Sequence, residues 1–139
     1  MKKLKFVLLA LFVSSMFISC NKDDDTDNAS LVGTWEFVST RILSSDEDET
    51  EAYDHQEGCD KDYITFTANT VYTTYHELDC TVDQESPTNY SLNNNIITVS
   101  YGGETGIVYI ESLSSSTLVI KEVDELDPDT YYFATLSRK

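Results

Sequence analysis

Apolar and β-branched residues recur at every second position along residues 31–139, in short runs, and nowhere in that span do they recur with a sustained 3.6-residue period. Alternation at period two puts successive side chains on opposite faces of an extended chain, so each run reads as a half-buried strand. Strands are expected near 33–42, 61–67, 71–78, 88–92, 96–101, 106–111, 117–123 and 130–137. The breaks between them carry turn chemistry. Asn93-Asn94-Asn95, Gly102-Gly103, Ser114-Ser115-Ser116 and Asp127-Pro128-Asp129 combine residues that tolerate positive φ, preset a turn angle or hydrogen-bond to the local backbone. Eight short sequential strands point to an all-β fold, an eight-stranded antiparallel up-and-down meander. Closure into a barrel would remove its exposed edges, with an open sandwich as the alternative.

The second and third strands allow a register to be written. A two-residue loop at Asn69-Thr70 would pair positions whose numbers sum to 139, setting Ile64 against Tyr75, Phe66 against Thr73 and Cys59 against Cys80. A three-residue loop would shift that register by one. A disulfide between Cys59 and Cys80 would clamp the open end of the hairpin, and it would contribute about 3 kcal/mol in the chain-entropy picture.

The amino terminus is organised differently. Lys2, Lys3 and Lys5 precede a largely apolar run from Phe6 to Ile18, followed by Ser19-Cys20 and Asn21-Lys22-Asp23-Asp24-Asp25. A basic start, a short apolar stretch and a small residue before the cut site form an export signal, and the stretch is well short of the roughly 20 residues that span a bilayer. The segment resembles a bacterial lipoprotein leader, although Phe17 stands where such leaders more usually have Leu or Val. The resemblance implies cleavage after Ser19, diacylation of Cys20 through sulfur and membrane attachment by two or more chains. Residues 1–19 are then a signal peptide, 20–30 a lipidated acidic tether and 31–139 the folded domain. The Lys22-Asp23-Asp24-Asp25 tetrad is either a solvated tether or a tag for the cell exterior. The expected location is therefore the outer membrane, at its periplasmic face or on the cell surface. An exported chain also favours oxidation of the Cys59 and Cys80 pair.

Loss of the leader would leave six basic against twenty-five acidic side chains, a formal charge of −19. Such a surface disfavours nucleic acid and anionic headgroups, because phosphate contacts need Lys and Arg, and no nucleic-acid partner is expected. Seven carboxylates fall between Asp46 and Glu57. That segment reads as a long solvated loop, with a lid, a partner contact or a cation site as lesser readings; its spacing fits no EF-hand.

Leu31-Val32-Gly33-Thr34-Trp35 carries a Gly-x-Trp element at the start of the first strand. With Asp62-Tyr63-Ile64-Thr65-Phe66 between Cys59 and Cys80, then Tyr90-Ser91-Leu92 and Ile96-Ile97-Thr98-Val99, it resembles the short lipocalin-like lipoproteins of diderm bacteria. Leu118-Val119-Ile120 and Tyr131-Tyr132-Phe133 would be the closing strands. The resemblance implies a lipocalin-like β-barrel with Trp35 plugging its narrow end. It also implies a cavity for a small hydrophobic ligand, with Trp35, Phe37, Tyr75 and Tyr90 as candidate contacts.

No enzyme is expected. His55 and His76, the only histidines, sit in unrelated settings, and no nucleophile motif or phosphate-binding glycine loop is present. No metal site or cofactor is expected either, since the cysteines form no CxxC and lack clustered soft ligands. Two functions remain: a lipid-anchored module that binds a small apolar molecule, or a filled barrel whose outer surface contacts an envelope or host partner.

Overall fold

The computed structural model describes residues 29–139, so the expected leader, the expected anchor at Cys20 and most of the expected 20–30 tether lie outside the described residues. Ten strands follow one another: β1 Gly33–Leu43, β2 Asp48–Ala52, β3 Tyr63–Phe66, β4 Thr70–His76, β5 Val82–Gln84, β6 Thr88–Asn93, β7 Ile96–Tyr101, β8 Glu104–Leu113, β9 Thr117–Val123 and β10 Tyr131–Arg138. Paired neighbours are antiparallel, and β10 returns to β1 from Trp35–Arg138 up to Leu43–Tyr131, closing an eight-stranded barrel. All eight expected strands are present, and β7 and β9 have the expected bounds.

The two extra strands, β2 and β5, each share one position in the barrel with an expected strand. With β10 on one edge of β1, the other edge takes β3 along Gly33–Glu36 and β2 along Ser39–Leu43. The chain leaves β1 where Tyr53 N–H donates to Val38 O (2.9 Å) and returns where Phe37 N–H donates to Asp62 O (3.2 Å). One stave is thus interrupted by a ten-residue excursion, 53–62. The β4 edge is shared likewise, with β5 at Thr74–His76 and β6 at Thr70–Val71. Pro87, which has no N–H to donate, lies at that break.

Two expectations are corrected. Residues 48–52 of the acidic segment are a strand rather than a loop. Every side chain of β2 is exposed, so no alternation announced it; its backbone covers the upper edge of β1, and the Arg41 fork grips Asp48 at 2.7 and 2.9 Å. The β3–β4 register is also displaced by two: Ile64 faces Thr73 and Phe66 faces Val71. The turn is centred on Ala68-Asn69 because Thr67 closes it, its N–H donating to Thr70 O (2.8 Å) and its hydroxyl accepting from Thr70 N–H (2.9 Å). A shift of two keeps every side chain on its face, so Phe66 and Val71 remain buried. Cys59 and Cys80 are still bonded, with Cα atoms 5.2 Å apart, because both lie beyond the ladder.

The core occupies one end of the barrel. Trp35, Ile97, Leu118 and Leu136 are fully buried, with Leu31, Phe66, Val71 and Ile110 packed around them. Burial of each large side chain contributes about 1.5–3 kcal/mol. The Trp35 indole donates to Leu31 O (2.9 Å), and the Arg138 guanidinium lies 4.0 Å over its ring while bonding Val32 O and Ser30 O at 2.8 and 2.6 Å. A side chain at Gly33, where φ is 144°, would collide with that guanidinium.

Candidate functional site

The opposite end of the barrel is open. A β-bulge between Phe37 and Ser39 rephases β1, so Thr40 and Ile42 follow Phe37 on the cavity face. Together with Ile64, Ile120 and Ala134 these side chains surround a cavity of about 430 Å³. Thr40, Thr73, Glu122 and Tyr132 supply its polar atoms, and Arg41 at its edge is already paired with Asp48. Glu122 makes no salt bridge or side-chain hydrogen bond among the described residues. Predominantly apolar walls with a few polar groups at the mouth suit a small amphiphile whose polar end faces outward.

The four sequence-derived contacts do not share this cavity. Phe37 lines it. Trp35 is the floor of the sealed end, fully buried beneath Arg138. Tyr75 is half-buried on β4 opposite Asp83, and burial raises its phenol above the ordinary tyrosine range. Tyr90 lies towards the sealed end, where its hydroxyl donates to Thr67 O (2.7 Å) and its ring meets Phe66 edge-on. There it lines a separate cleft of about 600 Å³ with Leu31, Ala68, Leu92 and Leu113. Period-two patterning places a residue on a face, and it gives no information about height along the barrel.

Sequence reasoning missed a buried polar cluster beside the mouth. Asp62 Oδ1 accepts from the His76 N–H (2.8 Å) and lies 3.1 Å from His76 Nδ1, while Oδ2 accepts from the Tyr53 hydroxyl (3.3 Å). Asp62 N–H donates to His55 Nδ1 (3.0 Å), which leaves His55 Nε2 protonated to donate to Phe37 O (2.7 Å). The Tyr53 ring stacks on Phe37 with centroids 4.7 Å apart, so the excursion braces one of the side chains that line the cavity. Burial, followed by the nearby Asp62 carboxylate, pushes the Tyr53 phenol up to about 12. His55 and His76 are twenty-one positions apart, and the only hint of their meeting is the Cys59–Cys80 bond that ties the same two segments together.

Residues 31–120 match the lipocalin-like domain profile. The chain belongs to the lipocalin-like domain family. Among solved structures, this lipocalin-like domain is similar to a lipocalin-like protein from Bacteroides uniformis. The two share 18% identity over 78% of this chain and 97% of the other, with a TM-score of 0.54. It is equally similar in fold to an uncharacterized protein from Bacteroides eggerthii, at 12% identity over 79% of this chain and all of the other, TM-score 0.54. These likenesses concern the fold alone. No curated protein matches the sequence significantly.

Proposed function

We propose that this lipocalin-like protein is a lipid-anchored envelope lipoprotein whose barrel holds a small, mainly apolar molecule at its open end. The observation that carries the binding reading is the asymmetry of the barrel. One end is sealed by Trp35 and Arg138, and the other opens on a cavity of about 430 Å³ walled by Phe37, Ile42, Ile64, Ile120 and Ala134. Lipocalin-like barrels are generally binding folds rather than catalytic ones, and no reaction is assigned to this one. The leader and Cys20 support the anchor, the outer membrane being its expected site, at the periplasmic face or the cell surface.

Thermal melting of the full chain against fatty acids, isoprenoids and haem-like compounds tests the binding reading. A ligand for the native barrel raises the melting temperature in a concentration-dependent way. At least one apolar class is expected to do so, and indifference to all of them would favour the filled-barrel alternative. That alternative draws support from the rim, where Leu126, Leu78 and Tyr101 are 97%, 85% and 73% exposed. For the anchor, Cys20→Ser is expected to release the protein from membranes; full retention with acyl label would refute the assignment.

A further inference from the structure

The barrel wall is not paired along its whole height. β8 pairs with β7 from Glu104 to Tyr109, yet with β9 only from Tyr109 to Leu113. Beyond that level Glu122 and Val123 of β9 pair with β10 alone. The two arms diverge around a cleft of about 580 Å³ bounded by Thr105, Ile107 and Tyr109 on one lip and by Glu122, Val123 and Glu125 on the other.

Register decides which backbone groups face that cleft. Gly102 and Gly103, with φ of 59° and 90°, close the β7–β8 hairpin with a two-residue turn of the I′ kind, which makes Tyr101 and Glu104 a hydrogen-bonded pair. Glu104, Gly106 and Val108 therefore direct their N–H and C=O groups to β7. Ile110 keeps the same phase, its N–H donating to Asn95 O (2.7 Å). Thr105 and Ile107 turn theirs the other way, into the cleft. On the second lip Asp124 N–H donates to Thr130 O (2.9 Å), so its neighbour Val123 faces the cleft as well. Both lips thus present strand edges with no partner strand among the described residues.

An uncovered edge of this kind is a template for another strand. The side chains around it specify which kind. Ile107 is half exposed and, with Val99 and Val123, offers apolar contact. Glu122, Asp124 and Glu125 line the cleft, Glu104 stands at the hairpin end, and no Lys or Arg is among the lining residues. We propose that this cleft receives an extended basic peptide segment as an added strand, its backbone pairing with Thr105 and Ile107 and its cationic side chains meeting the acidic lip. Two other occupants are disfavoured by charge. A second copy brings the same formal charge of −16, and residues 21–28 of this chain carry four Asp against one Lys.

The test titrates the full chain, in neutral detergent, with a labelled hexapeptide alternating lysine and valine and with its glutamate counterpart. The lysine peptide is expected to bind one-to-one and less tightly as salt rises, and to slow hydrogen exchange at the Thr105 and Ile107 amides. Thr105→Pro removes an edge donor that β7 does not use and should weaken binding about tenfold. Glu125→Gln should weaken it about threefold, the scale of one exposed ion pair. A peptide N-methylated on alternate amides should lose binding as Thr105→Pro does, which keeps the test decisive if that variant misfolds. Equal binding of the glutamate peptide, or indifference to N-methylation, would overturn the proposal. So would Thr105 and Ile107 amides already protected in the free chain, because the edge would then be filled by its own terminus or by a second copy.

Discussion

Thr74 is fully buried and its hydroxyl has no hydrogen-bond partner among the described residues, an arrangement that forfeits hydration without a protein group to replace it. Thr74→Val keeps the β-branched shape and removes the orphan group. It is expected to stabilise the protein by about 1 kcal/mol, read as a higher urea midpoint; a lower midpoint would mean that the hydroxyl is satisfied in solution. Tyr53 gives a pH signature. Its folded pKa of about 12 lies above the ordinary value of 10, so its contribution to stability is complete below pH 10 and is lost as pH rises through 12. Tyr53→Phe should therefore flatten the alkaline fall in stability over that window and delete the highest-titrating phenol from a tyrosinate absorbance titration. A wild-type alkaline profile in the variant would show that another tyrosine is responsible. At this scale Trp35 was legible, because Gly-x-Trp at the head of a first strand marks a plug. The Asp62 cluster was not, because its partners are distant in sequence and nothing in the spacing of His55 and His76 encodes a shared carboxylate.

Among the elements, the excursion 53–62 is held by covalent and polar ties rather than by a ladder. The Cys59–Cys80 bond and the contacts of Asp62 fix it against β4. Replacing both cysteines with alanine is expected to lower stability by about 3 kcal/mol. Amide exchange should accelerate at 53–62 while β7–β10 keep their protection; uniform acceleration would show that the bond holds the whole barrel rather than this segment. The strands were legible wherever one face is buried, which is why β7 and β9 were placed to the residue. β2 was not legible, since Asp48–Ala52 has no buried side chain and exists through backbone pairing to β1. The β3–β4 register escaped because Thr67, an unremarkable residue in the sequence, moves the turn by one position and the pairing by two.

For the molecule as a whole, eight strands bury their core at one end and leave a cavity at the other, and the division follows from where the large side chains fall. Strand count left barrel and sandwich both open and the resemblance around Gly-x-Trp pointed to the barrel, whereas the position of the cavity depended on the bulge after Phe37. If the open end holds a small molecule, Ala134, on its wall, allows that space to be filled without touching Trp35 or Arg138. Native mass spectrometry of the protein purified from its native source, compared with Ala134→Trp prepared identically, is the direct test. A discrete small-molecule mass is expected on the wild-type chain and not on the variant. A wild-type chain with no added mass, or the same added mass on both proteins, would contradict it.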